Sequence, residues 1–372
     1  VPLLPRLPMI PAATPGVQKA VHALVIGVGH YQDTSITGLA AAAPSALAFA
    51  DWLLTEHAPP GLVRGSIDVL ASQPDGQSAT WQGKALDPPT LANVQAAVDA
   101  FYQRVDADPA SMTVFYFCGH GVESGALRGL LLEDVDRTSA VDPFRNAIAF
   151  EDFVAGMAGC GPRQQLYVLD ACRELPLGLA KWVGSSVGLG QPLVRCNVQR
   201  RAQLGPRIQV TLEATSQTQR AWEGARAGWF TESLLTVLQG AAGDNRFTAS
   251  EDEYAVNTRD IADVIKLLVQ RGFIESPAGP QDPVRKGEGD LDFHVPPKPV
   301  VPILVTRRPP STNVGARFDA LKQAGLNLVA THTCADPNPW RSNLPLGDYV
   351  FQCNGGSVTA RVSVPAKRVE LP

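Results

Sequence analysis

Met112-Thr-Val-Phe-Tyr-Phe-Cys118-Gly119-His120-Gly121 is an unbroken apolar run that ends in a glycine-flanked histidine. An apolar run of this length, bounded by polar residues and glycine, reads as a strand buried on both faces. A second run has the same form: Gln165-Leu-Tyr-Val-Leu-Asp170-Ala171-Cys172-Arg173. His22 to Val28, Ile67 to Ala71 and Ile208 to Ala214 complete a set of five short strands. Between them lie helical patterns. Ser45 to Glu56 follows Pro44, and Thr90 to Arg104 opens on a threonine suited to cap it. Glu151 to Ala158, Thr231 to Leu238 and Thr258 to Arg271 carry apolar residues at three and four spacing. Strands alternating with helices predict an α/β sandwich around a mostly parallel central sheet flanked by helices. Ligands of such sheets bind outside the carboxyl ends of the strands, where His120 and Cys172 both fall.

A thiol and an imidazole in this setting are the two groups of nucleophilic acyl transfer. The imidazole deprotonates the thiol and later protonates the leaving group. The oxyanion that forms needs backbone N–H donors in a preformed site, and those of Gly121 and Cys172 are the expected ones. No Asp or Asn is required to orient the imidazole, so the dyad suffices, with a backbone carbonyl as the orienting group.

The bulk composition narrows the alternatives. The chain has 372 residues, 45% apolar and 18% charged, which fits a globular protein of two or more domains. Its net charge of -4 argues against binding nucleic acid by broad phosphate neutralisation. No apolar run reaches the ~20 residues of a membrane-spanning helix. Val1 to Gly16 is proline-rich and lacks the order of a signal peptide. Six cysteines at irregular spacings form no disulfide framework, which points to a reducing, cytoplasmic setting; a Cys334–Cys353 pairing is left open. Cys118, Cys160 and Cys172 fit no zinc-ligand spacing, so no metal and no cofactor are expected. Gly27-Val-Gly29 lacks the third glycine of a dinucleotide loop and reads as a tight turn.

Four motifs together carry a family resemblance: Ala23-Leu-Val-Ile-Gly-Val-Gly-His-Tyr31, Phe117-Cys-Gly-His-Gly121, Leu169-Asp-Ala-Cys172 and Gly228-Trp-Phe-Thr-Glu-Ser-Leu-Leu235. In this order they resemble the caspase-like peptidases, the group of caspases, metacaspases and paracaspases. The 52-residue separation of His120 and Cys172 also matches the caspase pattern. The resemblance covers residues 20 to about 270. It implies a caspase-hemoglobinase fold and peptide hydrolysis through Cys172 and His120. Caspases that cut after aspartate carry Gln two residues before the nucleophile, whereas this chain has Asp170, as do relatives that cut after arginine or lysine. A carboxylate there pairs with a guanidinium and repels an acidic side chain. Glu223 matches a second pocket carboxylate of those relatives. The position of a third is Ser45, a departure for which Asp33 is the candidate substitute, and Glu174 departs from the usual Gly or Ser.

The expected organisation is a proline-rich segment 1–19, a caspase-like domain 20–275, a proline-rich linker 276–302 and a small C-terminal β-sandwich over 303–372. Within the catalytic domain a large part ends near 174, a loose linker spans 175–206, and a small part spans 207–275. Lys181, Arg195, Arg200 and Arg201 are the candidate sites of self-cleavage in that linker. In the last domain Leu326 to Thr331, Tyr349 to Cys353 and Val358 to Val364 read as strands, with Gly355-Gly356 as a hairpin turn. The functional expectation is a triggered cysteine endopeptidase of bacterial defence or regulated death, acting on peptide or protein substrates. Calcium dependence and an activating protein partner are left open by the sequence, and neither nucleic acid nor membrane is an expected partner. The competing reading is a caspase-fold scaffold that binds a peptide or partner without cutting it.

Overall fold

A computed structural model describes residues 19–124, 127–136, 144–171, 189–214, 227–245, 253–275 and 281–372. The chain folds as two compact units. The first runs through Glu232 and takes back Pro277–Leu291; the second comprises Ser233–Ser276 and Asp292–Pro372.

Apart from the two-residue strands Thr80–Trp81 and Lys84–Ala85, which pair with each other, the described strands of the first unit are β1 (Ala20–Val28), β2 (Val63–Ser72), β3 (Met112–Gly119), β4 (Gly121–Ser124), β5 (Leu127–Asp136), β6 (Arg145–Ala149), β7 (Gln164–Ala171), β8 (Ile208–Glu213) and β9 (Val284–Lys286). Six of them form one sheet in the order β9-β8-β7-β3-β1-β2. All its pairs are parallel except the antiparallel β8–β9 pair at one edge. The five runs read from the sequence are thus the sheet's parallel strands. They are legible because both faces are covered, which leaves little polar residue to interrupt them.

Register assigns the two faces. Gly27, Cys118 and Asp170 are cross-strand partners on β1, β3 and β7. Their face meets α1 (Ala42–Thr55): a Cβ on Gly27 would lie 2.7 Å from both the Ala42 carbonyl oxygen and the Ala46 Cβ. Ile26, Phe117 and Leu169 point the other way, into a core with Val94 and Phe101 of α2 (Leu91–Asp106) and Phe150 and Phe153 of α3 (Phe150–Met157). Thr90 caps α2, its hydroxyl accepting from the Asn93 N–H at 3.4 Å. β4, β5 and β6 form a separate antiparallel sheet that leaves directly from the end of β3.

The segment 175–206, expected to be loose, is docked where it is described. Gln191 exchanges backbone hydrogen bonds with Ala147 and Ala149 at the end of β6. Leu189 and Leu193 sit in the core, and α4 (Val198–Leu204) is tied to the end of α2 by Arg200 and Asp106. Two buried leucines and one ion pair supply the anchoring that the glycine content hid. α5 (Trp229–Leu238) begins in the first unit.

In the second unit Gly243–Asn245, Tyr254–Asn257 and Asp292–His294 make a small antiparallel sheet beside α6 (Ile261–Gln270). Seven strands then form two further sheets. Val300–Arg307 lies between Trp340–Pro345 and Lys367–Leu371; Arg317–Lys322 and Gly347–Cys353 are the inner strands of the other sheet, flanked by Leu328–Thr333 and Gly356–Val362. Phe318 and Trp340, from different sheets, stack at 6.4 Å, and Tyr349, Phe351, Val305 and Val369 are buried with them.

Two details correct the sequence reading. The proline-rich segment 276–302, expected to be a linker, carries Val284–Lys286, Asp292–His294 and the start of Val300–Arg307, because its prolines fall between the apolar segments; Pro302, inside a strand, precedes the part that pairs on both sides. The hairpin turn is Asn354-Gly355 rather than Gly355-Gly356. Both turn residues have positive φ and Cys353 pairs with Gly356, as a two-residue type I′ turn requires. Cys334 and Cys353 are buried free thiols.

Candidate active site

In the β3–β7 ladder Cys118 faces Asp170 and Gly119 faces Ala171. The next residues along the chain are His120 and Cys172, so the two candidate catalytic residues follow the last pair of adjacent parallel strands. Cys172, Lys181 and Glu223 lie outside the described residues.

His120 is held at three points. Its backbone N–H donates to the Tyr31 hydroxyl at 2.8 Å, its ring packs on the Tyr31 ring at 5.1 Å, and its Nε2 meets the Thr37 carbonyl oxygen at 2.9 Å. A carbonyl only accepts, so Nε2 carries a proton, and in the neutral ring Nδ1 holds the lone pair that a general base needs. The orienting group is therefore a backbone carbonyl. Gly119 allows this arrangement, since a Cβ there would come within 3.2 Å of the Tyr31 hydroxyl and 2.9 Å of the Phe117 ring.

The loop that supplies Tyr31 and Thr37 is itself pinned. Gln32 N–H donates to the Glu133 carbonyl at 2.8 Å, His30 Nδ1 meets the Glu133 carboxylate at 3.3 Å, and Leu39 N–H closes the loop on the Gly29 carbonyl at 2.9 Å. β5 also receives the chain after His120: Leu131 N–H donates to the His120 carbonyl at 2.9 Å, and Gly121 pairs with Leu130.

Asp170 is 3% exposed on the α1 face of the sheet. Its Oδ2 accepts from the Thr231 hydroxyl at 2.5 Å and from the Thr231 N–H at 3.3 Å. Burial pushes its carboxyl up to about 6, against the lowering pull of those two bonds. A Cβ on Gly228 would lie 2.5 Å from the same Oδ2, so glycine there lets the chain pass against the carboxylate. Ser45, where the resemblance led to a third carboxylate, is buried and fully used: it accepts from the Gly228 N–H at 2.7 Å and donates to the Ala41 carbonyl at 2.7 Å. Asp33, the candidate substitute, accepts from both the N–H and the hydroxyl of Ser35.

An ionic cluster that the sequence reading missed fixes the start of β5. Arg128 donates to Glu151 through its Nε at 2.5 Å and its backbone N–H at 2.6 Å, pairs with Glu213, and lies 4.5 Å over the Phe150 ring. Lys286 adds a second cation 3.4 Å from Glu213. Of the candidate cleavage residues, Arg195 is exposed in irregular backbone, whereas Arg200 and Arg201 sit in α4. Among the described residues no three His, Cys, Asp or Glu side chains gather to hold a metal; Cys118 lies on the α1 face and Cys160 in the core of the opposite face. No described helix is long and apolar enough to cross a membrane.

The family model of the caspase domain matches residues 20–259, which include the whole of this constellation. The chain belongs to the caspase-domain family. Its fold is the caspase fold, with additional antiparallel sheets toward the C-terminus. The uncharacterized protein y4kE of Sinorhizobium fredii is 28% identical over 321 residues, covering 81% of this chain and 86% of that one. Among solved structures, caspase-1 of Spodoptera frugiperda matches 72% of this caspase-domain chain and 86% of its own, at 13% identity and a TM-score of 0.41. Protein GSU0716 of Geobacter sulfurreducens matches 73% and 94% respectively, with the same identity and score.

Proposed function

We propose that this caspase-domain protein is a cysteine endopeptidase that cuts after arginine or lysine. The observation that carries the reading is the ladder that ends one residue before His120 and Cys172, together with the Thr37 carbonyl that fixes the His120 tautomer. His120 Nδ1 takes the Cys172 thiol proton, and the thiolate attacks the scissile carbonyl carbon. The N–H groups of Gly121 and Cys172 receive the oxyanion. Collapse breaks the C–N bond, with the imidazolium proton passing to the leaving amine. Water then hydrolyses the thioester, activated by the same imidazole. Asp170 supplies the counter-charge for the basic side chain before the cut, with Glu223 as a second carboxylate.

Family membership supports peptide or protein substrates and, in the same reading, a triggered role in bacterial defence or regulated death. Arg195, exposed and outside any helix, is the self-cleavage site best placed among the described candidates. A fluorogenic peptide panel with Arg, Lys, Asp or Asn before the scissile bond tests the proposal. Wild type cleaves the Arg and Lys peptides and Cys172→Ala cleaves none. Activity that survives in Cys172→Ala removes the nucleophile, and preference for Asp removes the role of Asp170. Binding of a basic peptide without turnover would favour the scaffold alternative.

A further inference from the structure

We infer that Thr231 and Tyr116 form a directed hydrogen-bond chain onto Asp170 and that Thr231 is thereby a specificity-determining positioning residue for basic side chains. The inference rests on the reading of Asp170 as the floor of the substrate pocket.

The chain has three members joined by two hydrogen bonds, all buried. Tyr116 on β3 lies on the same face as Cys118, and its hydroxyl is 2.6 Å from the Thr231 hydroxyl. Thr231 is in the first turn of α5, and its hydroxyl is 2.5 Å from Asp170 Oδ2. Each hydroxyl has one proton. An ionised carboxylate only accepts, so the Thr231 proton must point at Asp170. The Tyr116 proton must then point at Thr231. Tyr116 is well suited to keep that proton, because burial, with Cys118 and Asp170 nearby, raises its hydroxyl well above the ordinary value. The direction of the chain is therefore set by the charge on Asp170, and the chain in turn favours that charge.

The same geometry aims the carboxylate. Both Thr231 donors reach Oδ2, and among the described residues none reaches Oδ1. Oδ1 is thus the oxygen left to meet a guanidinium or ammonium. Gly228 and Ser45 hold the start of α5 in place: the Gly228 N–H is bound to Ser45, and its missing Cβ leaves room for Oδ2.

No other described ionisable group does this work. Cys118 is the cross-strand partner of Asp170 on β3. α1 faces the site with Ala42, Ser45 and Ala46 and no charge. Glu232 of α5 turns back to accept from the Ala227 N–H at 3.1 Å. Among its described residues this chain relies at this floor on one carboxylate, made effective by two neutral hydroxyls.

Two measurements on Thr231→Val, Thr231→Ser and Tyr116→Phe test this. The first needs no turnover. In Cys172→Ala protein, infrared titration follows the protonated-carboxyl band of Asp170, assigned by its loss in Asp170→Asn. Thr231→Val should raise the midpoint by about one pH unit or more, the size expected for losing one hydrogen bond to a charged acceptor. Thr231→Ser should restore it, and Tyr116→Phe should give a smaller rise in the same direction. The second is kinetic. Thr231→Val should raise KM for an Arg peptide several-fold near the midpoint, with recovery at higher pH and little change in kcat. An unmoved midpoint in Thr231→Val, with fold retained by circular dichroism, overturns the inference whatever the peptides show. A moved midpoint with an equal, pH-independent loss in kcat also overturns it, since that is structural damage. A moved midpoint in a protein that cleaves no peptide leaves the hydrogen-bond chain standing and removes the peptidase reading instead.

Discussion

Replacing Asp170 by Asn should make the protein more stable at neutral pH and, on the proposed function, should abolish the preference for basic residues. The carboxyl has an ordinary value of 3.8 and is pushed up to about 6, with burial as the leading cause and the Thr231 bonds opposing it. At about 1.4 kcal/mol per tenfold change in proton affinity, this corresponds to about 3 kcal/mol lost on ionisation within the fold. The sign follows from which state holds the proton longer. Below about pH 3.8 Asp170 is protonated folded and unfolded, and its full contribution is present. As pH rises toward 6 the unfolded chain releases the proton first, and the stability is lost. Asn keeps an oxygen for Thr231 and has no charge to desolvate, so the gain reaches about 3 kcal/mol at neutral pH and vanishes in acid.

The wild-type pH profile alone would hide this effect. His22 is lowered to about 4, by burial first and then by Arg104, against a raising influence from Asp108. A depressed histidine contributes stability above its unfolded value of 6.5 that is lost as pH falls toward 4, the opposite slope over much of the same window. The informative quantity is therefore the difference between Asp170→Asn and wild type, measured by urea unfolding from about pH 4 to pH 7 with the buried Trp52 and Trp81 as fluorescent reporters. A difference that stays flat with pH, or that turns destabilising at neutral pH, refutes the reasoning.

Three other outcomes follow from the same geometry. Tyr31→Phe keeps the ring but strands the His120 N–H, so kcat should fall about tenfold with KM nearly unchanged, read by steady-state kinetics on an Arg peptide. Arg128→Met removes the guanidinium paired with Glu213, whose side chain is 2% exposed, and should cost about 3 kcal/mol in urea unfolding. Arg128→Lys should recover only part of that loss, because an ammonium cannot make the forked contacts to Glu151 and Glu213. Arg195→Ala should suppress self-cleavage into two fragments of similar size on electrophoresis, whereas Arg200→Ala should not, since Arg200 lies within α4 and is bound to Asp106 at the end of α2.

The parts of this protein that sequence makes plain are those whose cause is local. A strand covered on both faces must be apolar throughout, so Met112–Gly119 and Gln164–Ala171 announce themselves. A histidine between glycines and a cysteine after an aspartate are visible for the same reason. Contacts between distant residues leave no such trace. Ser45 meets Gly228 across 183 positions, and Thr231 meets Asp170 across 61. Nothing in the spacing of either pair marks it, although Tyr31 and Thr231 each lie inside a motif that carries the family resemblance. The antiparallel β4–β5–β6 sheet is equally hard to read, because its strands mix charge with apolar residues and lack a simple alternation. Composition misleads in the opposite sense over the expected linker 276–302, where prolines punctuate strands instead of replacing them.

The position of Asp170 under α5 explains how so buried a carboxylate persists. Thr231 is the third residue of α5, and its N–H is one of the first-turn donors that have no partner within a helix. Such a donor is ordinarily met by a cap residue just before the helix; here a side chain from a neighbouring strand meets it instead. The positive end of the helix dipole favours the same charge. These effects fall short of the desolvation cost, which is why the carboxyl settles near 6 rather than at its ordinary value. On the proposed function, a substrate cation at Oδ1 would make up the difference. A substrate guanidinium would stabilise the ionised form through paired N–H donors, so part of the cost carried by the empty site is returned on binding. An acidic or neutral side chain returns none of it. On the same proposal, discrimination at Asp170 would come as much from the energy withheld in the free protein as from contacts made in the complex, and it would be strongest above the carboxyl's midpoint, where the empty site holds a charge with no cation to meet it.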